Sequence, residues 1–270
     1  MYEQYWNLNA RPFQYRMSPN ELYRSKTQQS AALRLRYCID NNAGAALLLG
    51  VSGVGKSSLL QQLSADEHLA PFSMVTFPSL TSCELLRCVA ADVVHQPCSG
   101  GETTDALLLN IYKSLQQSSA DGQHCVIAFD EAHLLSNECL NQVVLPLLNL
   151  ADRDHRIQLT VILCGQPSLA SHVTRNAQLK ERIAVTAAMD RFTDQEVGDY
   201  IRRRMESVGA TRQVFSDDAV DAIIQLSEGN PRRINRLCDM ALLVGYADQI
   251  SQITDTEIRS LSVEILPMAA

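Results

Sequence analysis

The chain has 270 residues, 46% of them hydrophobic, 20% charged and 6% aromatic, with a formal net charge of −7. That apolar content excludes a disordered chain and predicts a packed, largely aliphatic core in one large domain or two small ones. The acidic balance argues against a generally basic nucleic-acid surface, no apolar run reaches about 18 residues, and the start MYEQYWNLNARPF does not read as a signal peptide, so a soluble cytoplasmic protein is expected, with any membrane contact made through a partner.

The first forty residues are polar with placed aromatics: Tyr2, Tyr5, Trp6, Phe13, Tyr15 and Tyr23. Their cluster is read as core packing, with an adenine pocket or an oligomer contact as alternatives. Ser18-Pro19-Asn20-Glu21 has the spacing of a helix start. The spacing of Ala32, Leu35 and Ile39 predicts an amphipathic helix over Gln28 to Ile39. The apolar run Ala45 to Leu49 then predicts a strand.

That strand delivers GVSGVGKS, Gly50 to Ser57, which fits the phosphate-binding pattern G-x-x-x-x-G-K-[ST]. Gly50, Gly53 and Gly55 let the backbone turn its N–H groups toward a polyphosphate, with Val51, Ser52 and Val54 between them. Lys56 places a mobile positive charge near the β- and γ-phosphates. Ser57 offers a hydroxyl to Mg²⁺. With Ser58 it opens a predicted helix, Ser57 to Ser64, whose N-terminus favours anions. ATP and Mg²⁺ are the expected cofactors.

Phe72 to Phe77 is the second predicted strand, and Thr81 to Val94 a helix with Leu85, Leu86, Val89 and Val93 on one side. Pro97 to Gly101 breaks the chain before a helix from Thr103 to Gln117. Cys125 to Phe129 reads as a buried strand ending in Asp130-Glu131. Open α/β sheets bind ligands at that edge. Asp130 would join the Mg²⁺ shell, and Glu131 would act as general base toward water. The bland alternative is that the two acids only begin the next helix. Asp130-Glu131-Ala132-His133 also spells a helicase motif, but no other helicase motif accompanies it, so His133 is taken as incidental.

Ser136 to Leu150 is predicted helical, with a kink at Pro146. Ile157 to Cys164 and Ile183 to Ala188 are the fourth and fifth strands. The alternation implies an α/β fold with a parallel three-layer sheet. From Arg191 the pattern becomes helical. Capping boxes at Thr193-Asp194-Gln195-Glu196 and Thr254-Asp255-Thr256-Glu257 bracket a start at Ser216 and another at Pro231. The expected division is therefore a nucleotide-binding domain over 1–190 and an all-helical lid over 191–270. Eight cysteines without C-x-x-C pairs read as reduced, buried thiols rather than a zinc site.

This layout resembles AAA+ P-loop ATPases, and in detail the subfamily of general secretion pathway protein A, which is related to transposition ATPases. The resemblance rests on Tyr5-Trp6 with Arg11-Pro12-Phe13, the P-loop, Phe129 to Leu135, Cys164-Gly165-Gln166-Pro167 and Glu228-Gly229-Asn230-Pro231-Arg232-Arg233-Ile234-Asn235. The chain departs from the subfamily at Val51-Ser52 and in carrying Ser57 where threonine is usual. It also has no counterpart of the transmembrane and peptidoglycan-binding portions.

The resemblance implies Gln166 as the sensor beside the attacking water and Arg232, ahead of Arg233, as the lid arginine reaching the γ-phosphate. It implies Arg182, ahead of Arg175, as the finger that completes a neighbouring subunit's site. The plain alternative for Arg182 is a salt bridge with Glu181 or another nearby acid. An ATP-dependent homo-oligomer serving a secretion or pilus membrane protein is the leading expectation. A DNA-associated transposition regulator and an ATP-gated scaffold with low turnover are the alternatives. Direct DNA binding through Arg202-Arg203-Arg204 is not favoured. That run is expected to be a solvated face, and the lid holds nine basic against thirteen acidic residues.

Overall fold

The computed structural model describes residues 1–14, 25–76, 79–94 and 101–265. The helix start read at Ser18 to Glu21, Tyr15, Tyr23, Phe77 and the break from Pro97 to Gly100 lie outside them. Contacts divide the chain into two units, one of 26–52 and 56–189, the other of 1–25, 53–55 and 190–270.

The first unit is a five-stranded sheet. Its strands are β1 (Ala45–Leu49), β2 (Phe72–Val75), β3 (Cys125–Phe129), β4 (Leu159–Gly165) and β5 (Ile183–Ala188). All neighbours pair in parallel, in the order β2-β3-β4-β1-β5. β1, β3 and β4 form from short apolar runs covered on both faces, β3 and β4 being buried at every residue, while the edge strands β2 and β5 are only partly buried. The helices Ser82–Val94 and Thr104–Ala120 contribute Leu85, Leu86, Val89, Val93, Leu107, Ile111 and Leu115 to the core. The helix Lys26–Asp40 buries Ala31, Leu35, Cys38 and Ile39. Its buried stripe thus runs through Ala31, while Ala32 is half-buried.

Pro146 lies inside a helical run that is unbroken from 137 to 153, at a change of helix type. A short helix, Asn137–Cys139, widens into a π-helical turn, Leu140–Val144, before the helix Leu145–Arg153 starts with Pro146 in its first turn. A proline inside a helical run lacks the N–H and crowds the preceding turn, and the ladder widens to the π form just before it. Two short helices not read from the sequence, Ser168–Arg175 and Ala177–Arg182, connect β4 to β5.

The second unit is helical: Asp194–Ser207, Asp217–Ser227, Pro231–Ala247 and Asp255–Ile265. Thr193 and Glu196 form the reciprocal capping box, and Ser216 and Asn230 cap their helices with side-chain oxygens. Gly229, at φ +70°, faces the Phe192 carbonyl so closely that a Cβ would strike it. The N-terminal residues pack in this unit rather than in the sheet unit, unlike the division expected at 190. Trp6 is 1% exposed and donates its indole N–H to the Leu242 carbonyl at 2.9 Å. Tyr2 donates to the Asp239 carboxylate, and Phe13 packs edge-on to Phe215. The physical reason is apolar area: these rings complete the core of a helical unit of modest size.

Arg202-Arg203-Arg204 is not one solvated face. Arg202 pairs with Asp199 at the surface. Arg204 is 2% exposed, stacks over the Tyr200 and Phe13 rings, and donates to the Gln14 carbonyl at 3.0 Å. Among the described residues no helix is long and apolar enough to cross a membrane.

Candidate nucleotide site

Three strand ends build the site. β1 leads into the loop, β3 into Asp130 and β4 into Gly165-Gln166. Since β4 lies between β1 and β3, the loop and the acids flank one edge of the sheet. Gly50 N–H donates to the Gly165 carbonyl at 3.1 Å, and Asp130 N–H to the Val75 carbonyl at 2.9 Å, so both segments leave the sheet in fixed directions.

Gly53 and Gly55 have φ +86° and +99°, a backbone region that disfavours side chains and turns N–H groups inward. Gly53 belongs by its contacts to the helical unit, where a Cβ on it would stand 2.5 Å from Asn230 Oδ1 and 3.0 Å from Arg232 Cβ. The helix Lys56–Ser64 starts at the end of the loop. Lys56 is 4% exposed and donates from Nζ to the carbonyls of Gly50 at 2.9 Å and Val51 at 3.2 Å. The loop thus keeps its ammonium among its own oxygens. Ser58 is half-buried on the next helical position.

Asp130 is 6% exposed and both its oxygens are engaged. Oδ2 accepts from Ser57 Oγ at 2.5 Å, and Oδ1 from the Glu131 N–H at 2.9 Å. A hydroxyl and a carboxylate placed together form a hard oxygen donor set. It suits Mg²⁺ held through one or two protein oxygens plus phosphate and water. Among the described residues no group of three or more His, Cys, Asp or Glu side chains could hold a metal ion. The Cys164 thiol, also hydrogen-bonded to Asp130, lies buried at the end of β4, and burial reinforced by that carboxylate pushes its pKa up.

Glu131 adopts the left-handed conformation, φ 52° and ψ 34°, and precedes a 3₁₀ turn, Ala132–Leu134. A non-glycine residue there stores about 1 kcal/mol or more of strain, which commonly marks a functional position. The acids therefore do not simply open a regular helix. His133 is not incidental to the geometry. Its Nδ1 lies 3.3 Å from Glu131 Oε2, and its ring packs on Gly165. The sequence carried no signal for this beyond the helicase-like letters.

Gln166 follows β4, half-buried, with its carbonyl accepting from Leu169 N–H. Arg182 ends its helix just before β5. It is ion-paired with Asp152 rather than Glu181, and donates to Asn149 Oδ1 at 2.9 Å. Arg175 is exposed beside Asn137, Asn141 and Asn176 at an open cavity. In the helical unit, Arg232 lies exposed in the first turn of Pro231–Ala247, while Arg233 pairs with Glu228 at 3.2 Å, which also pairs with Arg191.

Residues 39–173 match the AAA domain family. The chain is 31% identical over 271 aligned residues to general secretion pathway protein A of Aeromonas hydrophila, covering 98% of this chain and 48% of that protein. It is 24% identical over 172 residues to an uncharacterized HTH-type transcriptional regulator of Methanocaldococcus jannaschii, covering 62% of this chain and 40% of that one. The chain thus spans less than half the length of either relative. Among solved structures, Cdc6p from Pyrobaculum aerophilum superposes with a TM-score of 0.77 at 16% identity, over 94% of this chain and 70% of that one. Aeropyrum pernix ORC1 in complex with DNA gives a TM-score of 0.72 at 15% identity, over 96% and 70%. These likenesses show a P-loop AAA+ α/β fold with a helical C-terminal region.

Proposed function

This chain belongs to the AAA domain family, and we propose that it binds ATP with Mg²⁺ on the loop Gly50 to Ser58 and hydrolyses it. The observation that carries the reading is the 2.5 Å hydrogen bond from Ser57 Oγ to Asp130 Oδ2, which joins the loop's helix to the end of β3. Two elements far apart in sequence thereby present one oxygen donor pair beside a phosphate cradle.

In the proposed mechanism the loop N–H groups and the helix N-terminus hold the phosphates. Lys56 leaves the Gly50 and Val51 carbonyls and turns its ammonium toward the β- and γ-phosphate oxygens. Mg²⁺, held by Ser57 and through water by Asp130, would neutralise charge on those oxygens. Glu131 accepts the proton of the attacking water. Gln166 orients that water, Arg232 of the helical unit meets the γ-phosphate, and Arg182 completes the site of a neighbouring copy in a homo-oligomer. The strained Glu131 backbone, turned by the 3₁₀ corner, supports the assignment of the base.

The alignment with general secretion pathway protein A, spanning nearly this whole chain, supports a role in secretion. In the proposed role the ATPase stands on the cytoplasmic side, with a membrane protein of a secretion or pilus system as partner. The acidic helical unit gives no support to a DNA-dependent role. The test is Glu131→Gln. It should bind ATP with unchanged affinity and lose at least about a hundredfold in single-turnover hydrolysis, since an amide accepts no proton. Normal single-turnover hydrolysis would overturn Glu131 as the base. Held in its ATP state, the same variant should capture a membrane component of a secretion apparatus, and a turnover rate raised by DNA would point instead to a DNA-associated regulator.

A further inference from the structure

We propose that His133 is a positioning residue for Glu131, fixing where the water-activating carboxylate stands relative to the end of β4. The inference rests on the ATPase reading of Glu131 and adds a residue to it.

The geometry is local and specific. Glu131 is 40% exposed at its side chain, so its carboxylate is free to swing unless something holds it. His133 Nδ1 lies 3.3 Å from Glu131 Oε2, and among the described residues no Lys or Arg pairs with Glu131. The His133 side chain is only 12% exposed. Its Nδ1 is buried and makes no hydrogen bond, so its bonding capacity is unspent, with the Glu131 carboxylate 3.3 Å away but outside hydrogen-bond geometry. The left-handed Glu131 and the 3₁₀ turn bring residues 131 and 133 to the same side of the corner, with Leu134 N–H closing on the Glu131 carbonyl at 2.9 Å.

The imidazole is itself held. A Cβ on Gly165 would lie 3.1 Å from the His133 backbone nitrogen and 3.3 Å from Nδ1. The ring therefore rests on the bare backbone of Gly165, and the absence of a side chain there is what admits it. Gly165 also accepts from the Gly50 N–H at the start of the phosphate loop and is followed by Gln166. One imidazole thus ties the carboxylate at the end of β3 to the strand end that carries the loop contact and Gln166. A side chain placed this way orients the base and takes no part in proton transfer.

The test uses substitutions that separate the donor from the bulk. Asn places an N–H at the position of Nδ1, and Leu places a methyl there. His133→Asn should keep kcat within about threefold of the parent, and His133→Leu should lose about tenfold or more in kcat with ATP affinity unchanged, because a base displaced by a fraction of an ångström transfers protons poorly. If His133→Leu does not fold, His133→Ala, which cannot crowd Gly165, should show the same loss. In a Glu131→Gln background the His133 substitution should cost nothing further in kcat, whereas a purely structural role would still lower it. Equal rates for the parent, Asn and Leu forms, or equal losses for Asn and Leu, would overturn the proposal. Normal hydrolysis by Glu131→Gln alone would instead overturn the assignment of the base, a separate result.

Discussion

Arg182 and Asp152 are ion-paired within the sheet unit, with Asn149 accepting a second guanidinium hydrogen bond. The pair is partly exposed, 34% for the arginine and 59% for the aspartate, and such pairs contribute about 1 kcal/mol or less. A pair this weak leaves the proposed trans role of Arg182 energetically accessible.

If Arg182 acts in trans, turnover per subunit rises with protein concentration. Arg182→Ala keeps an intact loop, and Lys56→Ala keeps the arginine. Mixing the two should recover activity that neither has alone, because one copy's site is completed by the other's arginine. Asp152→Ala should leave activity intact or lower the concentration at which it appears. Sedimentation with saturating ATP reads the assembly. A monomer at every concentration, with constant turnover per subunit, would exclude the arrangement.

Lys56→Ala should weaken ATP binding by about ten- to a hundredfold, the equivalent of one charge-assisted contact of roughly 1.5–3 kcal/mol. The fold should persist, because among the described residues the lysine's hydrogen bonds go to the Gly50 and Val51 carbonyls of its own loop. Nucleotide titration by fluorescence or calorimetry checks it. Unchanged affinity in a folded variant would remove the loop from the nucleotide site.

Ser57→Ala should raise the Mg²⁺ concentration needed for half-maximal turnover by about tenfold, roughly 1.4 kcal/mol of lost coordination. In the proposed site the hydroxyl is the direct ligand of the ion, and its removal also takes a hydrogen bond from Asp130 Oδ2. Mg²⁺ dependence unchanged from the parent would place the cation elsewhere.

His124 gives a pH dependence of stability that is separate from the site. It is half-buried, with Nε2 at 2.9 Å from the buried Thr160 Oγ1, and burial lowers its pKa below the ordinary 6.5, partly offset by a hydrogen bond with Gln158. A folded-state pKa below the unfolded value means that the unfolded chain binds the proton more readily. The stability from neutral His124 is complete above the unfolded value, about 6.5, and is lost as pH falls through the lowered folded value. Denaturation midpoints between pH 7.5 and 5 should therefore fall on acidification, more steeply in the parent than in His124→Gln. Parallel curves would refute the contribution.

The sequence by itself determined what local physics fixes. The loop is legible because Gly50, Gly53, Gly55, Lys56 and Ser57 fall within one run of eight residues, so a single local pattern contains them. The capping box at Thr193 and Glu196 closes over three residues, so composition reveals it. The apolar runs of β1 and β3 name themselves because strands buried on both faces need uninterrupted aliphatic residues. The tertiary structure decided everything that depends on which elements become neighbours. Trp6 found its partner at Leu242, 236 positions away, and so joined the helical unit. Arg204 was drawn under two rings, although its two arginine neighbours in sequence suggested a solvated face. His133 reaches Gly165 because β4 lies beside β3, and Arg182 chose Asp152 over the adjacent Glu181 because the turn before β5 faces the end of the helix Leu145–Arg153. Side-chain pairs of this kind are set by strand order and burial, which no local pattern encodes.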